Sequence, residues 1–352
     1  MSTTSAPASA PATAAPAAAA ERDRKAEHIQ LALEQRMQLG GNYFDEYRFE
    51  HAALPEIDFD DIDLSLEFLG RRLAAPLLIS SMTGGTEAAG LINRNLAVGA
   101  EISRIAVGIG SQRKALEDPG KADTFKVRQA APSVPLLANL GAVQLNYGLG
   151  VRECLQAVEM IEADALILHL NPLQEAIQPE GQRNFAGLLP KIGEVARALP
   201  VPVVVKEIGC GISAATARAL AGQGIRIIDT AGVGGTSWAR IEGARAGDLD
   251  LGEVFAGWGI PTPRSIQEVR SVGGLTVIAS GGIRNGIDVA KALALGADLA
   301  GMAFPFLQAA TESPQKVVDK VQRIVQELKI CMFCLGAKTL AELRHARLRK
   351  GS

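Results

Sequence analysis

From residue 76 onward, short and continuously apolar runs alternate with segments whose apolar positions recur at helical spacing. The runs are PLLISS (76–81), IAVGIGS (105–111), PLLANLG (135–141), ALILHLN (165–171), PVVVKEIG (202–209), IRIIDTAG (225–232), LTVIASGG (275–282) and DLAGMA (298–303). A strand with one solvated face alternates apolar and polar residues, whereas a parallel strand covered on both faces reads as one apolar run. These runs are of the second kind. Between them, stretches such as GLINRNLAVGAEISR and DVAKALALGA carry the helical pattern. Strand and helix repeated eight times predict an α/β fold, the closed (β/α)8 TIM barrel. An open doubly wound sheet is the competitor. The count of eight favours the barrel, as do polar residues at nearly every strand's C-terminal end, where such barrels build their active sites.

Three parts fall outside the repeat. Residues 1–20, MSTTSAPASAPATAAPAAAA, read as a disordered Ala/Pro-rich leader, because prolines interrupt any helix and no basic start or apolar block marks a signal peptide. Residues 21–75 form an N-terminal extension with a basic helical segment, and 76–352 hold the barrel with C-terminal helices. Within the barrel, 231–262 make a long Gly-rich excursion after strand six, of a length that is usually functional. The tail, 335–349, reads as a basic helix.

Composition narrows the class. With 47% hydrophobic and 21% charged residues over 352 positions, the chain suits a globular protein. A net charge of −2 supplies no global basic field for nucleic acid, and no apolar run approaches a membrane span of roughly 20 residues. The four cysteines, Cys154, Cys210, Cys331 and Cys334, form no disulfide framework in a chain this long, so a reducing cytoplasm is expected. CMFC (331–334) is a lone CxxC with apolar helical flanks, better read as core packing than as a zinc or redox site.

The chemistry sits at the strand ends. Strand seven runs into Gly281-Gly282 and then opens a helix. Glycines allow close backbone approach and a helix N-terminus offers free N–H groups, so Gly281, Gly282, Ile283 and, on strand eight, Met302 and Ala303 predict a phosphate site. Polar groups suited to a flavin end the other strands: Ser81, Met82 and Thr83, Ser111, Asn139, Lys206 and Thr230. A buried lysine needs a partner. An anionic reduced flavin would serve, but so would an ion pair with Glu207 or Asp229. In RDRKAEHIQLALEQ (22–35), Arg24, Lys25 and His28 share one side of a helix and resemble a diphosphate clamp, with Arg113 as a further cation; a solvated basic helix is the plain alternative. After strand four comes HLNPLQEAIQPEG (169–181). Pro172 stops the strand, Glu175 offers a hard oxygen for Mg2+ with Glu242 as a candidate second carboxylate, and Gln174 is suited to hydrogen bonding. His169 suits phosphate binding or acid chemistry.

Together these motifs resemble the type 2, flavin-dependent isopentenyl-diphosphate isomerases. The matching pieces are RKAEHI, SSMTGGT, GSQR, ANLGA, HLNPLQEAIQPEGQRNF, VVVKEIGCGIS, DTAGVGGTSWARIE and ASGGIRNGIDVAKALALGA, in family order from residue 24 to about 303. The resemblance implies interconversion of isopentenyl and dimethylallyl diphosphate with reduced FMN, Mg2+ and NADPH or another reductant. It implies that Arg24, Lys25, His28, Ser111, Gln112, Arg113, Asn171 and Gln174 contact substrate. Gln174 and His169 would be catalytic, and Glu175 would bind the metal. FMN would lie on Ser81, Met82, Thr83, Ser111, Asn139, Lys206, Thr230, Gly281–Ile283, Met302 and Ala303. It also implies a homotetramer or homo-octamer. An unactivated alkene is a very weak base and few side chains here are strong acids, so the reduced flavin is expected to act as acid and base through N5. The enzymatic rival, an FMN-dependent 2-hydroxy-acid oxidase, needs a histidine base near the rim after strand six; neither DTAGVGGTSWARIE nor 275–303 contains one.

Overall fold

All eight apolar runs become strands in the computed structural model, which describes residues 24–351 apart from the side chains of residues 24–26 and 35. They are β1 (Leu77–Ile79), β2 (Ala106–Gly108), β3 (Leu136–Gly141), β4 (Ala165–Leu170), β5 (Val203–Glu207), β6 (Ile227–Asp229), β7 (Thr276–Ala279) and β8 (Leu299–Met302). Each pairs in parallel with the next, and β8 returns to β1 with Gly301 opposite Leu78, closing the barrel. The leader, residues 1–20, lies outside the described residues.

The continuity of the apolar runs has a simple cause. Alternate residues of a strand point to opposite faces. One set, including Ile79, Val107, Ala138, Leu168, Val205, Ile228, Val277 and Ala300, packs in the large core shared with the outer helices. The other set fills the barrel interior, with one residue from each strand: Leu78, Ala106, Leu137, Ile167, Val204, Ile227, Ile278 and Leu299. Phe68 and Leu73 join that interior cluster from a hairpin of Leu66–Phe68 and Arg71–Leu73. Arg71 ties the hairpin to Pro132 O and Asp164, which precede β3 and β4, so the hairpin plugs the N-terminal end of the barrel.

Two residues further along each strand, the inward positions are Ser80, Gly108, Asn139, His169, Lys206, Asp229, Ser280 and Gly301. Every one is polar or glycine. The interior therefore switches within one layer from hydrocarbon to a polar floor at the C-terminal end.

Six helices matter for the site: α1 (Arg24–Leu33), α2 (Pro172–Ile177), α3 (Trp238–Ala246), α4 (Leu249–Val254), α5 (Gly286–Ala294) and α6 (Pro314–Phe333). Pro172 opens α2, where the missing N–H costs nothing. The excursion 231–262 folds into α3 and α4 rather than remaining a loop, with Ser237 and Asp248 as their N-caps. The CMFC cysteines sit at the end of α6, half-buried and unpaired, beside an inner face of Val317, Val321, Ile324, Leu328 and Met332. The tail corrects the helical expectation. Only Leu340–Leu343 is helical, and Leu348–Lys350 pairs antiparallel with Tyr47–Phe49. Its basic residues serve that pairing, with Arg349 on Glu50 and Lys350 on Glu46.

Candidate active site

A cavity opens above the polar floor, walled by the βα loops and by one face of α1 (His28, Ile29 and Ala32). Its floor includes Ser80, Asn139, His169, Lys206 and Ser280. Several buried polar atoms of its wall have no hydrogen-bond partner among the described residues: the hydroxyls of Ser80, Ser81 and Thr83, and Asn171 Oδ1. An unpaired buried polar group costs about 1–3 kcal/mol, so this cluster at one cavity fits a bound polar ligand.

One end of the cavity is nearly bare backbone. Gly281 and Gly282 have φ of +100° and +77°, and a Cβ on them would stand 2.1 Å from Gly232 O and 2.4 Å from Gly234 O respectively. The glycines of DTAGVGG and ASGG are thus explained together, because the two loops touch backbone to backbone. α5 begins immediately beyond, capped by Asn285. Ile283, Met302 and Ala303 complete this end. Close-set loops after β7 and β8 ahead of a helix N-terminus fit a phosphate, and with the orphaned hydroxyls they fit FMN.

The opposite wall comes from β4 and α2. His169 Nδ1 lies 2.9 Å from Asn139 Oδ1. Asn171 Nδ2 donates to Gln174 Oε1 at 3.0 Å and to Glu175 Oε1 at 2.9 Å, and the Gln182 N–H donates to Glu175 Oε2 at 2.6 Å. Gln174 Nε2 donates in turn to Glu242 Oε1 at 2.7 Å, which His28 Nε2 also meets at 3.0 Å. Arg245 Nη1 takes the other oxygen of Glu242 at 2.6 Å. Burial pushes the Glu242 carboxyl up, but His28, Gln174 and Arg245 together outweigh it and hold it below the ordinary carboxylate range. An edge-on contact of His28 with Trp238 at 5.3 Å completes the docking of α1 on α3.

Of the two acids that the sequence suggested, Lys206 pairs with Asp229, and of Glu207 it meets the backbone carbonyl. Its Nζ donates to the Glu207 carbonyl at 2.7 Å and lies 3.7 Å from Asp229 Oδ2. The Glu207 carboxylate accepts three successive backbone N–H groups, from Ile208, Gly209 and Cys210. Burial nevertheless pushes its carboxyl up to about 7.

The cavity wall contains Ser81, Met82, Thr83, Ser111, Arg113, Asn139, His169, Asn171, Gln174, Glu175, Lys206, Gly281–Ile283, Met302 and Ala303. Two expected residues stand apart. Gln112 is buried, with Nε2 on Ala157 O and Oε1 on the Asn139 N–H, so it ties β3 to the helix Val151–Ile161 rather than facing the cavity. Thr230 is fully buried and is not part of the wall. Glu242 lies behind the wall, with His28 and Gln174 on one oxygen and Arg245 on the other. α1 places the backbone of Arg24 and Lys25, but their side chains lie outside those described. Sequence reasoning missed Gln38, Lys114, Gln144, Gln178, Trp238 and Arg284 as wall residues. Gln178, Trp238 and Arg284 lay in motifs already singled out; the others carried no local signal.

A family model described as FMN-dependent dehydrogenase matches residues 180–350. An isopentenyl-diphosphate delta-isomerase of Nostoc sp. is 54% identical over 331 residues, covering 92% of this chain and 95% of that protein. One from Paracoccus zeaxanthinifaciens is 52% identical, covering 91% and 95%. Among solved structures, mandelate oxidase superposes with a TM-score of 0.63 at 18% identity, over 92% of this chain and 91% of that one. A flavocytochrome b2 double mutant with pyruvate bound gives 0.65 at 20%, over 88% and 77%. At such identities the structural likeness concerns the barrel alone. The sequence likeness goes further: with about half its residues matched over nine-tenths of its length, the chain belongs to the isopentenyl-diphosphate delta-isomerases, in their FMN-dependent type 2 form.

Proposed function

We propose that this protein interconverts isopentenyl and dimethylallyl diphosphate, with FMN, Mg2+ and NADPH or another reductant to prepare the flavin. The observation that carries the reading is one cavity with a backbone phosphate cradle at one end and the Asn171–Gln174–Glu175 cluster at the other. In its reduced form, FMN supplies an electron-rich ring and acid–base chemistry for the double-bond shift. The cofactor lies on Ser81, Met82, Thr83, Ser111, Asn139 and Lys206, with its phosphate on Gly281–Ile283, Met302 and Ala303. His169 and Asn171, with Arg113 and the α1 residues Arg24, Lys25 and His28, hold the diphosphate. Glu175 binds Mg2+; the unpaired Asn171 Oδ1 beside it is a second hard oxygen, and the diphosphate and water complete the shell. Gln174, fixed by Asn171 and Glu242, orients the carbon end of the substrate. Met82, Trp238, Phe304 and Leu307 give the cavity apolar surface.

The fold likeness to mandelate oxidase raises 2-hydroxy-acid oxidation as a second reading. The loops after β6 and β7 contain no histidine to act as its base, which counts against it. The assembly is a homotetramer or homo-octamer, a state that sedimentation would read, and it works in the cytoplasm. The test of function is an anaerobic assay of isopentenyl diphosphate with FMN, NADPH and Mg2+. Dimethylallyl diphosphate is expected, and its absence would overturn the proposal. Oxygen uptake with lactate or glycolate would favour the oxidase.

A further inference from the structure

Asp229 is a fully buried carboxylate to which the proposed chemistry gives no task. It occupies the inward floor position of β6, and the strand register sets it directly opposite Lys206 of β5. Lys206 belongs to the cavity wall; Asp229 does not. Ser280, the floor residue of β7, donates its hydroxyl to Asp229 Oδ1. Asp229 Oδ2 has no hydrogen-bond donor among the described residues and lies 3.7 Å from the Lys206 ammonium.

We propose that Asp229, held by Ser280, is a positioning residue that sets the charge Lys206 presents to the flavin. The inference rests on the reading of this cavity as the FMN site. An ammonium has three protons. One goes to the Glu207 carbonyl at 2.7 Å, which leaves the group anchored with its charge facing both the cavity and Asp229. Asp229 has no exposed surface, so it acts on a ligand only through Lys206 and through its own field. As a carboxylate it offsets most of the lysine charge, and the floor below the flavin is close to neutral. Burial pushes the Asp229 carboxyl up, and the Lys206 charge, followed by the Ser280 hydroxyl, opposes that rise. The Glu207 carboxyl, whose charge also meets that of Lys206, is committed to three backbone N–H groups beyond the end of β5.

Replacing the carboxylate by an amide of the same shape removes the ammonium's ion-pair partner and leaves its charge less compensated. An uncompensated cation favours reduced, anionic flavin over oxidised flavin. The experiment measures anaerobic dissociation constants of oxidised and reduced FMN for four chains: unsubstituted, Asp229→Asn, Lys206→Met, and the double variant. Asp229→Asn is expected to favour reduced over oxidised FMN by about tenfold, an upward shift in midpoint potential of about 30 mV. In the Lys206→Met background the same change is expected to do nothing, because a lone buried carboxyl protonates and already resembles the amide. An unchanged ratio for Asp229→Asn overturns the inference. So does an equal shift with and without Lys206, which a merely structural role would produce. Should Asp229→Asn fail to fold, Ser280→Ala withdraws the donor from Oδ1. A smaller shift of the same sign, lost in Lys206→Met, supports the inference, and no shift overturns it. An unsubstituted chain that takes up no FMN overturns the cofactor reading and this inference with it; uptake with an unchanged ratio overturns the inference alone.

Discussion

Glu242→Gln probes the junction that carries the N-terminal helix. Glu242 is fully buried and its two oxygens meet His28, Gln174 and Arg245 at 3.0, 2.7 and 2.6 Å. An amide keeps the shape but puts an NH2 where an acceptor stood, so at least one donor faces another donor. Breaking a buried ion pair costs about 3–5 kcal/mol. Arg245 retains Glu180 at 2.9 Å and Glu27 at 3.2 Å, so its charge is not stranded. A loss of about 2–3 kcal/mol is therefore expected. The pH dependence has a definite sign. The folded-state pKa is depressed, so the contribution is full above the unfolded value and fades as pH falls through the folded one. The deficit of the variant is expected to be full at neutral pH and to shrink in acid. Urea unfolding followed by tryptophan fluorescence measures it, since Trp238 sits at the junction. Amide exchange in 24–33 should quicken, while FMN affinity should hold because Glu242 does not line the cavity. An unchanged midpoint at neutral pH, or a deficit that widens in acid, would refute the reasoning.

Glu175→Gln should weaken Mg2+ dependence and lower activity by roughly tenfold or more while FMN binding persists, read by metal titration of rate and by flavin fluorescence. Gly281→Ala should abolish FMN uptake in equilibrium dialysis, because the new methyl would stand 2.1 Å from Gly232 O on a φ of +100°. Lys206→Ala should weaken FMN binding, measured the same way; unchanged affinity would remove the lysine from the cofactor. Burial pushes the Cys154 thiol up to about 12, so iodoacetamide at pH 8 should spare it in the folded protein and label it in urea.

Eight uninterrupted apolar runs by themselves determined an α/β fold of parallel strands, and their count favoured the barrel that the structure closes. Burial on both faces leaves no other pattern available to a parallel strand, and strand ends are marked by a change from apolar to polar or glycine that any reading along the chain detects. The same local grammar pointed to Gly281-Gly282, Lys206 and the polar residues of HLNPLQE, which line the cavity. Tertiary structure decided what each side chain touches. Gln112 and Ser111 are adjacent in sequence, yet one turns into the core and the other into the cavity. Glu242 offered a carboxylate, but its partner beside Arg245, His28 214 residues away, is set only by how α1 docks on α3. The tail carried a helical charge pattern, but pairing with Tyr47–Phe49 drew its end into a strand. The sequence offered Asp229 as one of two partners for Lys206; the register of β6 between β5 and β7 set it beside Lys206 and Ser280. Periodicity along a chain reports which face of an element is buried. The identity of the partner across that face is a property of strand register and of how elements dock, and it is there that the charge and hydrogen bonding of this site are settled.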